Sequence, residues 1–315
     1  MQWLTFTLRL ESDFGGPVRG DSLFGQLCWM LRLCDGEAAL TRALEGYTAG
    51  DPFLIVSDAC PEKFAPKPEI PAPPIEAGKI KDPSEWIRRK AWEARAWLPS
   101  TALKRPLIDA LCHDGLEHPA KADIILQPHN TIDRMTGTTG SGAFAPYQTI
   151  RLSVHGQIVE VHCLHDPGRL SADRLRYLMD FTGRSGYGRD ASLGLGKFSI
   201  IACEERPREA EAGAVVALAP CRPARGEVDA GKSFWRPFTR FGRHGGAAFG
   251  AVFKTPALMA DRGALFFLSR PNAKSFIGVG LGSAGRVSRL IPQTVLQAYA
   301  PVLPVNLDGW HGCPA

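Results

Sequence analysis

The sequence lacks any apolar run long enough to span a bilayer. Its first residues also lack a charged leader followed by an apolar stretch, which is the pattern of a secretory signal. At 315 residues and 44% hydrophobic content, the chain is long enough for one large core or two smaller ones. We therefore expect a cytoplasmic globular protein of two domains with no membrane partner.

Cysteine pairs with metal-binding spacing are also missing. The eight cysteines are scattered, and none forms a Cys-x-x-Cys pair. His162-Cys-Leu-His165 could supply two ligands, but no second pair stands at the spacing that zinc requires. We expect reduced thiols, no metal site and no cofactor.

Overall charge bias is small, at +5 from 37 basic and 32 acidic residues, so an anionic partner is permitted without being required. The charge is concentrated between residues 222 and 243, where basic residues alternate with aromatic ones. Cations and stacking faces together suit a single nucleic-acid strand. An apolar strand edge with solvated arginines is the alternative. The candidates for additional RNA contacts in this segment are Arg236, Arg240 and Arg243.

A glycine-rich stretch at residues 183–198, GRSGYGRDASLGLGKF, is the most distinctive part of the chain. Glycine reaches positive φ and lets backbone N–H groups approach a ligand, while the interleaved cations neutralise an anion. An apolar helix pattern precedes the stretch and a strand pattern follows it, the reverse of the order in nucleotide-binding loops. The stretch predicts a site for a nucleic-acid backbone, with a flexible surface turn as the alternative.

The remaining patterns predict an α+β fold. Residues 1–205 show an alternating strand at residues 2–10, a helix that Asp21 or Gly20 would cap, a strand, insertions, paired strands, a second helix that Ser171 would cap, and a final strand. This order is compatible with a ferredoxin-like (RRM-like) βαββαβ domain. Residues 206–315 predict a smaller β-rich domain, with a second ferredoxin-like unit as one interpretation. Its predicted strands end near residue 279, and a second glycine-rich segment at residues 278–285 is followed by a predicted tail.

Two insertions interrupt the first domain. Residues 61–83 are rich in proline and predict an extended loop. Residues 127–148 are polar and glycine-rich, and so long an excursion is usually functional or disordered. We expect a projecting finger in which His129, Arg134 and Met135 contact a ligand or a neighbour, with a disordered surface hairpin as the alternative.

Several of these motifs together resemble a known family. Gly186-Tyr-Gly188, Ser192, Gly194-Leu-Gly196 and Phe198 match the glycine-rich loop of the RAMP superfamily of CRISPR-associated RNA-binding proteins. Residues 20–27 (GDSLFGQL), 55–61 (IVSDACP) and 130–136 (NTIDRMT) are similar to the first-helix, second-strand and finger motifs of its type III-A (Csm) subunit that caps the crRNA 5′ end. The resemblance covers residues 1–205 and is weaker beyond them, where residues 248–253 look like the closing strand of the family's C-terminal domain.

The resemblance implies a non-catalytic subunit that holds the crRNA 5′ handle in antiviral defence. Its further partners would be the large polymerase-like subunit, a backbone RAMP subunit, and target RNA near the finger. In the loop, the backbone would donate N–H groups, basic side chains would bind phosphates and Tyr187 would stack on a base. The finger would place His129, Arg134 and Met135 beside the guide–target duplex, with Met135 as an apolar wedge. The RNA-binding residues so implied are Arg184, Ser185, Gly186, Tyr187, Gly188, Arg189, Ser192, Gly194, Gly196, Lys197, Arg19 and Ser22.

Other functions compete with this interpretation. Some RAMP proteins cleave precursor crRNA without a metal, and His129, Tyr147, Tyr187 and Lys197 have suitable side chains for acid–base catalysis. The corresponding cap subunit of a type III-B (Cmr) complex would make similar contacts. A backbone subunit that cuts target RNA with a loop aspartate would point to Asp21.

Overall fold

The structure is a computed structural model that describes residues 1–71, 82–113, 122–207, 211–245, 253–272, 275–282 and 284–308. Its helices and strands, in chain order, are β1 (Gln2–Leu10), α1 (Gly20–Asp35), α2 (Glu37–Ala43), β2 (Leu54–Val56), β3 (Cys60–Pro61), β4 (Phe64–Pro66), α3 (Pro83–Ala94), β5 (Trp97–Pro99), α4 (Leu107–His113), β6 (Asp123–His129), β7 (Tyr147–Ser153), β8 (Ile158–His165), α5 (Ala172–Ser185), β9 (Phe198–Arg206), β10 (Ala212–Ala217), β11 (Pro237–Arg240), β12 (Ala257–Ala260), β13 (Leu265–Asn272), β14 (Phe276–Gly282) and β15 (Val295–Pro304). The α+β class predicted from the sequence is confirmed.

The first sheet has the strand order β2-β8-β1-β9, and β3 also pairs with β8. Every pairing in this sheet is antiparallel. In β1 the alternation predicted from the sequence is borne out, because Leu4, Phe6 and Leu8 are all buried. The central position of β1 brings it into register with strands that are roughly 150 to 200 residues away in the sequence.

Helices α1 and α5 follow β1 and β8 respectively, and they contact each other. Leu23, Leu27 and Leu31 recur at helical spacing on α1 and are buried. Ser171 begins α5 as predicted, because its hydroxyl accepts a hydrogen bond from the N–H of Arg174 at 3.2 Å. The helix, glycine-rich loop and strand therefore follow one another in the predicted order.

A second sheet has the order β13-β10-β15-β14. The sequence analysis treated the residues after 285 as a tail, which is wrong, because β15 is a central, buried strand of this sheet. Between residues 211 and 308, the described segments contain strands and no α-helix. The β-rich character of this part was predicted, but a second ferredoxin-like unit, which needs two helices, does not fit it.

One hydrophobic core crosses the predicted domain boundary at residue 205. It combines first-sheet residues such as Phe6 with second-sheet residues such as Tyr299. The buried amide of Gln297 on β15 bonds both the N–H of Val56, at 2.9 Å, and its carbonyl, at 2.7 Å. Division of the chain into two domains stays a prediction, and the two sheets pack against each other through these contacts.

The finger is a β-hairpin, formed by β6 and β7. The sequence analysis placed residues 127–129 and 147–148 in an irregular excursion, but the two strands pair out to His129 and Tyr147. The tip contains a bridge between Asp133 and Thr138 and a short 3-10 turn at Gly142–Phe144. The strand that begins with Ile124, Ile125 and Leu126 therefore continues into residues whose polar composition had indicated a loop.

The other predicted segments are described in part. In the Pro-rich insertion, β4 pairs with β5, whereas residues 72–81 lie outside the described residues. Most of the proposed closing strand at 248–253 also lies outside them, with only Phe253 described. A search of the described helices finds none with the length and apolar content to cross a membrane.

Candidate nucleic-acid interface

The loop between α5 and β9 is held to the first strand and the first helix by its own backbone. The N–H of Gly196 donates to the carbonyl of Asp13 at 2.8 Å, and that of Lys197 donates to Ser12 Oγ at 2.9 Å. The Gln26 side-chain amide donates to the Gly186 carbonyl at 2.7 Å and accepts from the Gly188 N–H at 3.3 Å. Most of the loop's N–H groups thus have internal acceptors, which corrects the expectation that they donate to a ligand. Within the described structure, only the N–H groups of residues 189–192 in this loop lack one.

The loop glycines serve two different purposes. Gly196 has φ +76°, and a Cβ there would lie 2.1 Å from the Tyr187 carbonyl, so the loop closes on itself only because this residue has no side chain. Gly188 also has positive φ, +78°, but a Cβ there would meet nothing within 4 Å. Gly186 is enclosed like Gly196, and Gly194 is open like Gly188. Two of the four glycines predicted to bind RNA therefore serve internal packing, and two leave open surface.

Tyr187 faces the interior. Its hydroxyl oxygen accepts a hydrogen bond from the Arg19 N–H at 3.0 Å, its ring packs near Phe14, and it is 5% exposed. Burial raises the pKa of the phenol to about 12, so it stays protonated. The sequence analysis expected this ring to stack on a base, but no ring face is open to receive one.

Arg19 belongs to an internal ion-pair network instead of a ligand site. Its guanidinium pairs with Asp58 at 2.8 Å and with Asp261 at 3.0 Å, linking α1 to both halves of the chain. Asp58 Oδ1 also accepts from the Gly20 N–H at 2.8 Å, so Asp58 caps α1, a role the sequence analysis assigned to Asp21 or Gly20. Burial raises the pKa of the Asp58 carboxyl, against the opposing effect of Arg19 and Arg262. Both carboxylates already neutralise Arg19, and its assignment to RNA stays a prediction.

Residues around Ser22 also bind one another. Arg240 contacts the Ser22 hydroxyl and pairs with buried Asp21 at 2.5 Å. Because these three side chains bind one another, neither Ser22 nor Arg240 is presented to RNA. Asp21 has a 2% exposed side chain, which does not suit a residue that cuts target RNA.

The remaining predicted cations keep different amounts of free charge. Arg236 pairs with Glu69 at 2.9 Å, Arg184 with Asp180 at 2.7 Å and Arg189 with Asp190 at 3.1 Å. Lys197 is exposed, and the described structure gives it no carboxylate partner. Ser185 and Ser192 are exposed as well. Lys197 is therefore the loop cation with most charge available to a phosphate.

A cavity of about 380 Å³ separates the loop from the base of the finger hairpin. Arg151 on β7 donates to Asp13 at 2.6 Å and to the Gln127 side chain at 2.7 Å, which fixes the hairpin base against the segment that precedes α1. Arg189 also donates to the backbone carbonyl of Ile150. The sequence analysis missed this role of Arg151, because its contact with Asp13 joins residues 138 positions apart. The lining residues include Ser12, Asp13, Gln127, His129, Thr149, Arg151, His155, Asp190 and Gly194.

His129 and Tyr147 form an aromatic pair at the end of β6 and β7, beside this cavity. Their rings stack with centroids 5.2 Å apart and planes 14° apart, and His129 also bonds the Thr149 hydroxyl at 2.9 Å. Tyr147 is 51% exposed, so part of its ring surface faces solvent. The pair offers the stacking surface that the sequence analysis had placed at Tyr187.

The three predicted finger residues do not lie together. His129 lies at the cavity, whereas Arg134 and Met135 lie in the tip, where the Met135 N–H donates to Asp133 Oδ1 at 2.8 Å. Met135 is 93% exposed, which suits an apolar contact with a partner. Among the four residues considered for RNA cleavage, His129 and Tyr147 adjoin, while Tyr187 is buried.

Comparisons with known proteins identify the fold. No family model and no curated protein matches the sequence. Solved structures match almost the whole chain. A chain of the Csm1–Csm4 cassette in complex with AMPPNP has 12% identity and a TM-score of 0.60, covering 98% of this chain and 99% of that one. The cassette in complex with cA4 has 13% identity and a TM-score of 0.58, covering 96% and 98%.

A third match is the Csm3–Csm4 subcomplex of the type III-A CRISPR-Cas interference complex, with 12% identity and a TM-score of 0.57, covering 97% of this chain and 100% of that one. Csm4 is the subunit common to these assemblies. The chain therefore has the fold of Csm4, a subunit of the type III-A CRISPR-Cas interference complex, and the resemblance drawn from the sequence motifs is confirmed at the level of fold.

Proposed function

We propose that this chain is the non-catalytic subunit of a type III-A Csm effector complex that holds the crRNA 5′ handle. The observation that carries the proposal is the match to Csm4 over nearly the full length of both chains. The loop and the hairpin base form a cavity at the place where the RAMP motif predicted an RNA site. Neither observation alone would be sufficient, because a fold supports many functions.

The first sheet supports this proposal as a ferredoxin-like core. Its order, β2-β8-β1-β9, is that of a βαββαβ unit in which α1 joins the first two strands and α5 joins the last two. The finger hairpin and the Pro-rich segment are then insertions between the second and third strands of that unit. Placed so, the glycine-rich loop directly precedes the edge strand β9.

The charges suggest that the bases and the phosphates of the RNA bind at different places. Arg151 is neutralised by Asp13, and Asp190 adds a second carboxylate to the cavity lining, so the cavity itself suits base and sugar groups. Lys197 on the outer side of the loop suits a phosphate, with Arg184 and Arg189 available after their exposed ion pairs open. Tyr147 provides a stacking surface for one base.

The protein partners follow from the assemblies of the similar structures. The matched chains are solved with Csm1 or with Csm3, and we infer a large polymerase-like subunit and a backbone RAMP subunit as partners of this chain. The exposed tip of the hairpin, with Met135 and Arg134, would contact target RNA at the guide duplex. Assembly around crRNA would take place in the cytoplasm.

Copurification tests the assembly. A tagged chain expressed with its CRISPR locus should recover a short crRNA with a constant 5′ end and two kinds of larger or repeated protein subunits. Recovery of neither RNA nor subunits would contradict the proposal. Recovery of RNA of random sequence would indicate a general RNA-binding protein.

Binding of the recovered handle RNA tests the site. Lys197→Ala should weaken binding and lower the salt slope by about 0.7, the value for one phosphate contact on a single strand. Lys63→Ala is the matched control, because Lys63 is 81% exposed and pairs with Glu62 away from the cavity. Equal affinity and equal slope in the wild type and Lys197→Ala would remove Lys197 from the site.

Cleavage of precursor crRNA is the second candidate, because His129 and Tyr147 adjoin at the cavity. Both rings are stacked and His129 bonds Thr149, so neither is free to act on a 2′-hydroxyl without rearrangement. Incubation of the purified protein with repeat RNA in EDTA distinguishes the functions. Products that disappear in His129→Ala would establish the nuclease.

A further inference from the structure

A second surface with free positive charge lies on the C-terminal half, on the hairpin of β11 and β12. The ladder continues beyond these strands, because Lys254 N–H donates to the Gly242 carbonyl at 2.8 Å and Arg243 pairs with Phe253. Side chains alternate between the two faces of this ladder. The inner face, which includes Gly242 and Met259, is buried or half-buried.

The outer face is exposed and largely apolar. Leu258 is 66% exposed, Phe253 63% and Phe241 61%. The Arg243 guanidinium lies over the Phe253 ring, 5.3 Å from its centroid, and has no carboxylate partner in the described structure. We call this the outer face, and it consists of Thr239, Phe241, Arg243, Phe253, Pro256 and Leu258.

A cavity of about 510 Å³ adjoins the outer face at Pro256 and Leu258. We call it the arginine cavity, because Arg222 and Arg286 line it and both are exposed. Thr48 and Thr255 add hydroxyl groups, and none of the described residues that line the cavity is acidic. Within the described residues, neither arginine has an ion pair, in contrast to the neutralised Arg151 of the first cavity.

We infer that the arginine cavity and the outer face together bind single-stranded RNA, at a site distinct from the glycine-rich loop. Unpaired arginines and threonine hydroxyls are phosphate-binding groups, and exposed aromatic rings next to them accept stacked bases. An apolar protein partner fits this surface less well, because binding it would remove three unpaired arginine charges from water without neutralising them. The inference rests on the proposed function for the presence of RNA, but it concerns different residues.

The structure also changes which arginines are involved. The sequence proposed Arg236, Arg240 and Arg243 for this region, but the first two are paired with Glu69 and Asp21. Arg222 and Arg286 take their place, 64 positions apart in the sequence and joined only by the fold. Gly280 and Gly282 of β14 form part of the cavity wall.

The test uses fluorescence anisotropy with a labelled single-stranded RNA of mixed sequence, ten nucleotides long, on the purified full chain. The double variant Arg222→Ala/Arg286→Ala should weaken binding about 25-fold at 0.1 M salt, the effect of two phosphate contacts on a single strand. Arg88→Ala/Arg89→Ala removes the same charge from exposed positions on α3 and should leave binding unchanged. Circular dichroism confirms that each variant is folded.

Cross-linking of the same RNA, carrying 4-thiouridine, separates this inference from the proposed function. Cross-links to Arg222, to Arg286, or within residues 241–245 and 253–258 support the inference. Cross-links confined to the glycine-rich loop and finger, with unchanged affinity in the double variant, overturn it and leave the proposed function intact. Absence of RNA binding by the wild type contradicts both. If the double variant binds RNA normally but no longer recovers the protein subunits, this surface is a protein interface. If a mononucleotide displaces the RNA at equal concentration, the surface is a nucleotide site. Either result overturns the inference.

Discussion

The Tyr187 hydroxyl oxygen accepts a hydrogen bond from the backbone N–H of Arg19 at 3.0 Å, joining the glycine-rich loop to the start of α1. The two residues are 168 positions apart. Tyr187 lies in the glycine-rich motif and Arg19 immediately precedes the first-helix motif, yet the two residues bond each other. Their hydrogen bond is one of several that hold the loop beside α1, together with the two made by the Gln26 side chain.

Removal of the Tyr187 hydroxyl should therefore affect stability and not RNA binding. Tyr187→Phe leaves the Arg19 N–H without its acceptor and should lower the free energy of unfolding by about 1 kcal/mol. Urea denaturation measures the loss, and handle-RNA anisotropy should be unchanged. Tyr147→Phe is the control, since the described residues give its exposed hydroxyl no such partner. A large loss of RNA affinity in Tyr187→Phe, with stability unchanged, would return Tyr187 to the site.

The fold elements near the site were largely predictable from the sequence. Alternation in β1, the Ser171 cap of α5 and the strand after the loop all depend on neighbouring residues, and the structure has each of them. The central strand β15 was not predicted, because it contains Pro301 and buried Gln297, which both argue against a central strand. Gln297 is accommodated by hydrogen bonds to Val56, a contact that sequence alone does not reveal.

The candidate site was predictable in position but less so in its contacts. The spacing of the glycines indicated an unusual loop, but spacing does not tell a glycine that approaches a ligand from one that approaches its own backbone. In the same way, Arg19 and Arg240 have the composition of RNA-binding residues, and the carboxylates that neutralise them come from distant segments. Apart from its place in the second-strand motif, nothing in the sequence marks Asp58 as the partner of Arg19.

The two kinds of loop glycine should respond differently to alanine. Gly196→Ala combines positive φ with a contact of 2.1 Å to the Tyr187 carbonyl, so the loop must open or the protein must lose several kcal/mol of stability. Gly188→Ala has a similar φ and no clash, and should cost only about 1 kcal/mol. Thermal denaturation of both variants compares them. Equal losses would mean that φ alone, and not the close approach, requires glycine at 196.

The exposed ring of Tyr147 should contribute to RNA affinity. Tyr147→Ala removes a stacking surface and should weaken handle binding by about 1–3 kcal/mol, as base–aromatic stacking does elsewhere. Tyr177→Ala is the matched control, because Tyr177 is 46% exposed but lies on α5, outside the cavity lining. Anisotropy titrations at one salt concentration measure the difference. Equal affinities of the two variants would exclude stacking at Tyr147.

In the ion-pair network around Arg19, Asp58 should contribute more to the free energy of unfolding than Asp261 does. Asp58→Asn removes the buried charge that pairs with Arg19 and should lower stability by about 3 kcal/mol. Asp261→Asn removes a partner that is 30% exposed, and the loss should stay within about 1 kcal/mol. Chemical denaturation at neutral pH measures both. The reverse order of the two losses would show that the connection to the C-terminal half is the dominant one.

Buried His162 should make the protein less stable in mild acid. Its ring lies against Trp3 and its Nδ1 is 3.1 Å from the Thr5 hydroxyl. Burial, with a smaller contribution from Arg206, lowers its pKa to about 3, while an unfolded histidine has a pKa of about 6.5. Below pH 6.5 the unfolded chain therefore takes up a proton that the folded chain does not. The stability is complete above pH 6.5 and is lost as the pH falls toward 3.

Between pH 7.5 and 5.5 this difference in protonation should remove about 1.4 kcal/mol from the free energy of unfolding. Other titrating groups also contribute to the wild-type pH dependence, so the informative quantity is the difference between the wild type and His162→Gln. That variant should be less stable at pH 7.5, because the packing of the ring is lost, but its stability should fall less on acidification. His155→Gln removes an exposed histidine and controls for the change of residue type. If the wild type and His162→Gln lose the same free energy over this interval, His162 is protonated equally in the folded and unfolded states, and its burial does not control the acid response.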